Sequence, residues 1–317
     1  MNILLGQKMA ITTIALALLG DGQVAAQIRT PSSCGMMPAP ATNTTMAARL
    51  SPRMVESRPA TAGELPIMAS LARTGADNAA DRHRCGAVFV SSHRLLTAAH
   101  CLAYSDAVGR PIVYHPDYLR VIVTYSRSLQ QQGENRDQYR EMRVESYTCL
   151  SGWNGNWRAG NDLAVLRLYE PAPRWVWERP GGKPPVLIPR DAAADERLVP
   201  FGSNVVAAGW GTTSPQGGAS AEQMRVGDMV RLSSDRCSGP RDAICFGPGS
   251  GSTATCAGDS GGLGGVEQPD GQFLLLGIAS GGPDRCGGVG SRNDVMTRIS
   301  QHSDWIARMV GGDIIAP

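Results

Sequence analysis

Three residues of this chain have the types and the order that nucleophilic catalysis by a serine requires: His100, Asp162 and Ser260. A serine hydroxyl is a weak nucleophile at neutral pH, so it needs an adjacent base to remove its proton, and that base needs a carboxylate to orient it. The three lie in residues 95–101 (LLTAAHC), 161–168 (NDLAVLRL) and 256–262 (CAGDSGG). Taken singly, the histidine could be a packed core residue and the other two could be turn residues. Together they favour a catalytic triad.

The elements that hold these residues are predicted to be short strands. Five runs rich in β-forming residues alternate with turn clusters, at residues 85–90, 121–125, 163–168, 205–208 and 273–279. The 38 glycines and 21 prolines, against only 4 phenylalanines, are also typical of short strands joined by turns. We therefore expect an all-β barrel or sandwich, with residues 171–200 as a connector between two halves. Apolar residues recur at helical spacing only at residues 295–310, which predicts a C-terminal helix.

The N-terminus has the pattern of an exported protein. A short apolar run at residues 9–19 follows Lys8, and small residues precede Gln27. This predicts a signal peptide of residues 1–26 and secretion to an extracellular or periplasmic space. The run is shorter than the ~20 apolar residues of a membrane span, although an uncleaved anchor or a buried helix stays an alternative. Residues 27–53 show no helical or strand period and are expected to be a flexible leader or propeptide.

The motifs TAAHC and GDSGG, with Asn-Asp-Leu-Ala between them, resemble those of the chymotrypsin/trypsin-like serine proteases. The resemblance runs from about Met54 to Val310 and includes Gly-Trp-Gly at residues 209–211. It implies two antiparallel six-stranded β-barrels, chymotrypsin-like, with a C-terminal helix and an active site in the cleft between them. It also implies a protease domain of residues 54–317 that acts as a secreted serine endopeptidase on polypeptides.

The resemblance assigns a role to each residue of the proposed site. His100 would be the base, Asp162 would orient it, and Ser260 would attack the substrate carbonyl and carry the acyl-enzyme. The backbone N–H groups of Gly258 and Ser260 would stabilise the oxyanion, and a glycine suits this tight turn because it has no side chain. Losing one oxyanion donor typically lowers the rate by a factor of ~10²–10³.

The substrate-binding cleft departs from the family pattern at several positions. Ala254 stands where trypsin-like members carry the aspartate that binds a basic P1 side chain, and Asp294 replaces a glycine of the opposite wall. The Asp294 carboxylate could pair with a basic P1 residue, could narrow the pocket or could lie in a solvated loop; we expect a basic or broad preference. Ser280 and Gly282 resemble residues that pair with the substrate backbone. Because Gly281 replaces the usual tryptophan between them, we expect a looser non-primed side of the cleft.

The activation site of the family has a counterpart at Arg53 and Met54. The resemblance implies cleavage between these residues by an activating protease, after which the Met54 ammonium would pair with Asp259. A buried carboxylate is costly without a cationic partner, so this cleavage would act as a switch. The sequence Met-Val-Glu-Ser departs from the family's usual start, and Arg53 could instead be a plain linker residue.

Six of the eight cysteines resemble three disulfides of the family. These pairs are Cys85 with Cys101, Cys237 with Cys245, and Cys256 with Cys286. Export to an oxidising compartment favours disulfides in general. Cys34 and Cys149 are left over; paired, they would keep a cleaved leader attached, and the alternative is a free or intermolecular thiol.

Other classes of function receive less support. The net charge of +2, without a basic run, does not favour nucleic acid. No second apolar run favours a membrane, no histidine and cysteine spacing favours a metal, and no cofactor is expected. Tryptophans at residues 153–157 and 175–177 are interpreted as loop packing. GDSGG also fits the nucleophile elbow of α/β-hydrolases, but that fold requires an acid and then a histidine after the serine, and only His302 follows Ser260.

Two alternatives remain within the expected fold. A member that has lost activity would be a catalytically silent binding protein, and an intact member could be locked as a zymogen until a partner cleaves it. Silent members usually have a broken triad, whereas His100, Asp162 and Ser260 are all present here. The sequence therefore favours an enzyme.

Overall fold

A computed structural model describes residue 34 and residues 57–75, 78–106, 108–130, 137–212, 219–248, 253–282 and 293–316. The predicted signal peptide and most of the leader, with Arg53 and Met54, lie outside these residues, and so does Cys286. None of the helices that the described residues form is long and apolar enough to cross a lipid bilayer.

The first half of the described chain contains nine strands, six of which close a barrel. The strands are β1 (Arg58–Pro59), β2 (Met68–Arg73), β3 (His83–Ser91), β4 (Arg94–Thr97), β5 (Ala103–Ser105), β6 (Pro111–Val113), β7 (Leu119–Thr124), β8 (Tyr139–Cys149) and β9 (Ala164–Leu168). The barrel runs in the order β2-β3-β4-β9-β8-β7, and its strands pair antiparallel. Aliphatic side chains such as Leu71, Leu95 and Val121 fill it and are fully buried, which is why these short apolar runs become strands.

The second half contributes eight strands: β10 (Val186–Pro189), β11 (Asn204–Gly209), β12 (Arg225–Arg231), β13 (Ala243–Pro248), β14 (Leu263–Glu267), β15 (Phe273–Gly281), β16 (Asp294–Arg298) and β17 (Ile315–Ala316). Six of these form a ring in the order β14-β11-β12-β13-β16-β15, which the pairing of β14 with β15 closes. Strand β1 adds to β12, while β10 lies parallel to β15 and β17 lies parallel to β10. The prediction of two six-stranded antiparallel barrels is confirmed, and each of the five predicted strand runs coincides with a strand, two of them extending one residue beyond it.

The described residues form four short α-helices: α1 (Ala79–Arg82), α2 (Arg174–Trp177), α3 (Ala192–Leu198) and α4 (Ser303–Val310). The C-terminal helix exists, but the prediction that it begins at residue 295 is wrong. Residues 295–298 belong to β16, which pairs on one side with β13 and on the other with β15. Every residue of this strand is buried. Pairing and burial on both sides therefore override the helical spacing of its apolar residues.

The segment between β9 and β11 contains α2, β10 and α3, and a buried ion cluster ties it to the second barrel. Asp195 of α3 is fully buried and lies 2.7 Å from the Arg231 guanidinium and 2.6 Å from that of Arg298. The Ser300 hydroxyl also donates to this carboxylate. Because Arg231 is on β12 and Arg298 is on β16, the cluster fixes the strand that carries Asp294 and Thr297.

Candidate active site

His100 and Asp162 lie together at one edge of the first barrel. His100 follows β4 in a 3₁₀ turn, Ala99–Cys101, and Asp162 precedes β9, the neighbour of β4. The imidazole Nδ1 lies 2.7 Å from Asp162 Oδ2, and the backbone N–H of His100 donates to Asp162 Oδ1 at 2.8 Å. The Asp162 side chain has no exposed surface, whereas that of His100 is 24% exposed. One ring edge is thus held by a buried carboxylate, and the other can face a substrate.

Two hydroxyl groups of the second barrel complete the environment of Asp162. Ser280 at the end of β15 donates to Asp162 Oδ2 at 2.6 Å, and Thr297 of β16 donates to the Asp162 carbonyl at 2.9 Å. A carboxylate can only accept, so the Nδ1 atom of His100 carries the proton of their bond. In the neutral ring Nε2 is then left with its lone pair, as a general base requires.

The backbone just before Asp162 is held by Asp242, which sequence reasoning did not single out. Asp242 Oδ2 accepts from the backbone N–H of Asn161 at 2.8 Å and lies 3.1 Å from His302 Nε2. Although burial alone would raise it, the pKa of Asp242 is lowered by these hydrogen bonds. Gly160 must be a glycine here, since it has a φ of +85° and an added Cβ would lie 2.5 Å from Asp242 Oδ1. A lone aspartate far along the chain gives no sequence signal for this contact.

The loop that carries Ser260 is fastened beside His100. The backbone N–H of Gly86 donates to the Ser260 carbonyl at 2.7 Å, and Gly86 follows Cys85, whose disulfide with Cys101 adjoins His100. An added Cβ on Gly261, at φ +81°, would lie 2.2 Å from the Gly86 carbonyl oxygen, so this close approach requires glycine. Within the described part of the chain the Ser260 hydroxyl makes no hydrogen bond. Such bonds are often loose in free enzymes and tighten with substrate.

The backbone N–H groups of Gly258 and Ser260 form no hydrogen bond to the described residues, so both are free to meet an oxyanion. Gly258 has a φ of +97°, and its carbonyl lies 3.0 Å from His83 Nε2. A carbonyl only accepts, so Nε2 carries the His83 proton, and Nδ1 accepts from the Ser70 hydroxyl at 2.7 Å. Burial lowers the pKa of His83 to about 4, which keeps the ring neutral. The sequence pattern gave no indication that His83 holds the Gly258 carbonyl.

Asp259 lies between Gly258 and Ser260 in this loop, and its side chain is buried. It is 1% exposed, and its two oxygens accept from the backbone N–H groups of Gly211 at 2.7 Å and Cys256 at 2.8 Å. Burial raises the pKa of Asp259 to about 6, although these two bonds act to lower it. Within the described ranges no basic side chain pairs with Asp259. Its expected partner, the Met54 ammonium, belongs to a residue outside those ranges.

The alternative that Asp294 lies in a solvated loop is wrong, because Asp294 is a residue of β16 and is only 2% exposed. Its Oδ2 accepts from the backbone N–H of Thr255 at 2.6 Å, next to the buried Ala254. Its Oδ1 is buried and has no hydrogen-bond partner among the residues that the structure describes, and an added Cβ on Gly282 would lie 3.3 Å from it. Burial is the main reason that the pKa of Asp294 is raised to about 7, and repulsion from Asp259 adds to it.

The expectation that Gly281 leaves the cleft open is wrong. The three heavy atoms nearest to an added Cβ at Gly281 would all belong to the indole of Trp157, at 2.6 to 2.7 Å. Trp157 comes from the loop between β8 and β9, so the first barrel fills the space that the missing side chain leaves in the second. Sequence reasoning assigned this tryptophan to loop packing because its distant contact has no local signal.

The described cysteines are all in disulfides. Cys34 is bonded to Cys149, Cys85 to Cys101 and Cys237 to Cys245. Cys256 is also disulfide-bonded, and its expected partner Cys286 lies outside the described ranges. The Cys34 bond links the predicted leader to the end of β8, just before the loop that carries Trp157.

The chain is similar to known proteins both in sequence and in structure. The chain matches the model of the Trypsin family over residues 54–306. Rat chymotrypsin-C is 27% identical over 297 residues, which cover 91% of this chain and 98% of the relative. Phenoloxidase-activating factor 3 of Holotrichia diomphalia is 30% identical over 270 residues, 78% of this chain and 70% of the relative.

Human serine protease 56 is 30% identical over 232 residues, or 70% of this chain, but the match spans only 34% of that relative's length. Among solved structures, human heparin binding protein has a TM-score of 0.62 and 22% identity, covering 83% of this chain and 99% of the neighbour. That neighbour supports the fold. Since the family match covers most of the chain and includes the segments described above, the chain belongs to the trypsin family of serine proteases.

Proposed function

We propose that this protein is a secreted serine endopeptidase that hydrolyses peptide bonds through an acyl-enzyme on Ser260. The observation that carries the proposal is the pairing of His100 with the fully buried Asp162. His100 Nε2 takes the Ser260 proton as Oγ bonds to the carbonyl carbon, and Asp162 stabilises the imidazolium. That proton then goes to the leaving amine as the C–N bond breaks, which leaves an acyl ester on Ser260. His100 Nε2 next takes a proton from a water molecule that attacks the ester, and it returns this proton to Ser260 Oγ as the ester bond breaks and the acid product leaves.

Stabilisation of the oxyanion is the second part of the proposed mechanism. The free N–H groups of Gly258 and Ser260 would donate to the carbonyl oxygen as it gains negative charge. The left-handed backbone of Gly258 supports this assignment, as does the hydrogen bond that His83 Nε2 donates to the Gly258 carbonyl. Donors that are already in place need no reorganisation when the charge develops.

Cleavage after Arg53 is proposed to activate the protein. Pro59 of strand β1 pairs with Arg225 of β12, and Arg225 pairs on its other side with Gly209 of β11. An added Cβ at Gly209 would lie 2.3 Å from Asp259 Oδ1, so β1 enters the second barrel near this carboxylate. The three residues between Met54 and β1 can span ~10 Å when extended. A new ammonium at Met54 would give the buried Asp259 the cation it lacks among the described residues.

A basic P1 preference is proposed on the position of Asp294. Its Oδ1 is buried, has no hydrogen-bond partner within the described ranges and lies toward Gly282. A Lys or Arg side chain that enters the pocket past Ala254 would provide the missing donor and a compensating charge. The Asp294 carboxylate would thus lie on the pocket wall opposite to the one that carries the P1-binding aspartate in trypsin-like members.

The first prediction concerns catalysis and activation together. A fluorophosphonate probe should label the purified protein only after limited trypsin treatment that exposes Met54, and Ser260→Ala should abolish the labelling. The residue 27–53 fragment should leave the protease domain only on reduction, because Cys34 stays bonded to Cys149. Gel electrophoresis with and without reductant, and mass spectrometry of the new N-terminus, measure both results. Failure to label after Met54 is freed would contradict the proposal and favour a catalytically silent binding protein.

The second prediction concerns pH and the buried Asp259. Because its pKa is raised from an ordinary ~3.9 to about 6, the folded precursor holds a proton that the unfolded chain loses. The Asp259 contribution to the free energy of unfolding of the uncleaved protein should therefore fall by on the order of 3 kcal/mol between pH 4 and pH 8. Asp294 acts in the same direction and His83, whose pKa burial lowers to about 4, acts in the opposite one, so the Asp259 contribution is measured as the difference between the parent protein and Asp259→Asn.

Urea unfolding of the Ser260→Ala protein, which cannot digest itself, measures this dependence before and after cleavage. The Met54 ammonium should lower the pKa of Asp259, so the cleaved protein should lose less stability between pH 4 and pH 8. The exposed Asp228→Asn is the control for general charge effects. An identical pH profile before and after cleavage would rule out the proposed pairing.

The third prediction concerns P1 specificity. Asp294→Asn keeps an acceptor for the Thr255 N–H but removes the charge, so kcat/KM for Lys and Arg substrates should fall about 100-fold relative to neutral ones. In the parent protein the ratio of kcat/KM for Lys to that for Leu substrates should rise with pH through about 7, as Asp294 ionises. Taking the ratio cancels ionisations common to both substrates. Asp304→Asn on α4 is the matched control, and an unchanged P1 profile in Asp294→Asn would refute the assignment.

A further inference from the structure

We propose that this protein binds a compact oxyanion, a phosphate or sulfate group, in a cavity of the second barrel that is lined by arginines. The cavity has a volume of about 250 Å³, and its wall comes mainly from β12, from β13, from the loop between these strands and from Arg298 of β16. Of the described residues that line it, none belongs to the triad, the oxyanion hole or the P1 pocket. The inference therefore goes beyond the proposed function and does not depend on it.

The charge of the cavity wall is positive. Arg231, Arg241 and Arg298 line the cavity, and no carboxylate does so among the described residues. Asp195 pairs with two of these arginines, since its Oδ1 lies 2.7 Å from Arg231 Nη2 and 2.6 Å from Arg298 Nη2. One carboxylate thus holds two like charges close together. Glu196 lies 3.0 Å from Arg298, but its side chain is 44% exposed, so water screens its charge.

Arg298 has donors that no protein acceptor uses. It is 8% exposed, and its Nε and Nη2 atoms donate to Asp195, with Nη2 also donating to Glu196 and to the Ala192 carbonyl. Its Nη1 atom donates to none of the described residues. A guanidinium has two N–H groups on Nη1, so Arg298 can offer both to a ligand in the cavity while it keeps its bonds to Asp195.

Arg231 adds a buried positive charge with an unused donor. It is 1% exposed, and its Nε atom is buried with no hydrogen-bond partner in the described part of the chain. The ring of Phe201 lies 4.9 Å from its guanidinium carbon. Because this ring covers Arg231, an entering anion would contact Arg298 and Arg241 directly, and Arg231 would attract it through its charge. Burial strengthens that attraction, since little water screens it.

Arg241 supplies the exposed cation of the wall. Its guanidinium makes no hydrogen bond or ion pair within the described ranges, whereas its backbone is held, because its carbonyl accepts from Gln301 Nε2 at 3.2 Å. The next residue, Asp242, accepts from the Asn161 N–H. An anion bound by both Arg241 and Arg298 would therefore tie the loop that holds Asn161 to β16.

The chemistry and size of the cavity favour a phosphate or sulfate group. A planar guanidinium can donate two parallel hydrogen bonds to the oxygens of such a group. Three lining cations match a doubly charged anion better than a singly charged carboxylate. The cavity is smaller than the ~300–1,000 Å³ of pockets for larger ligands. The group could arrive as a free ion or as a monoester of a larger molecule.

The test is titration calorimetry of the uncleaved Ser260→Ala protein, at an ionic strength held constant with sodium chloride. Inorganic phosphate, inorganic sulfate and phenyl phosphate are the probes, and acetate is the comparison. Phosphate and sulfate should bind saturably at one site, and acetate should bind about tenfold more weakly because it has half the charge. Tighter binding of phenyl phosphate than of inorganic phosphate would identify an ester as the ligand, and the reverse would identify a free ion.

Three variants assign the binding to this cavity. Arg241→Gln removes one cation without touching the buried cluster and should weaken phosphate binding about tenfold. Arg236→Gln, in the same loop but outside the wall, is the matched control and should leave the affinity within twofold of the parent. Arg298→Lys keeps the charge but loses the planar fork, so it should also weaken binding. Urea unfolding checks that each variant folds, and Arg241→Gln decides the matter if Arg298→Lys does not fold.

Three results would overturn the inference. The first is the absence of saturable binding of phosphate and sulfate by the parent protein. The second is an affinity in Arg241→Gln equal to that of the parent, which would place any bound anion elsewhere. The third is acetate binding as tight as phosphate binding, which would mean that the wall does not select a doubly charged group. Because Ser260 is absent throughout, none of these results bears on the proposed catalysis.

Discussion

Solvent does not reach the Asp162 carboxylate, and its oxygens are met by donors from both barrels. A buried carboxylate without such donors would cost several kcal/mol, so these bonds are obligatory once the residue is inside. The backbone and ring of His100 come from the first barrel and the Ser280 hydroxyl from the second. The bonds that satisfy Asp162 therefore also set the tautomer of His100 and hold the two barrels together at the site.

Two other buried carboxylates, Asp259 and Asp294, have no cationic partner among the described residues, and burial raises the pKa of both. Asp195 has two arginines instead, which makes it a completed structural cluster. In the proposed function the new Met54 ammonium would bring a positive charge to Asp259, and a basic P1 side chain would bring one to Asp294. The same electrostatic cost would thus drive activation at one position and substrate selection at the other.

The sequence predicted what local pattern and motif spacing can encode. Short runs of β-forming residues between turn clusters predicted the strands, and three short motifs predicted the roles of His100, Asp162 and Ser260. It could not predict contacts between residues far apart in the chain, such as Trp157 on Gly281 or Asp242 on the backbone before Asp162. For the same reason, residues 295–298 were assigned to a helix, although pairing with β13 and β15 makes them a strand.

Nitrogen NMR of the His100 imidazole tests the central claim most directly. In cleaved Ser260→Ala protein, at a pH where the ring is neutral, the account predicts a proton on Nδ1 and an unprotonated Nε2. In the Asp162→Asn variant of the same protein the proton should move to Nε2. An Nε2-protonated ring in the presence of Asp162, or the same tautomer in both proteins, would contradict the claim that the buried carboxylate makes His100 a base toward Ser260.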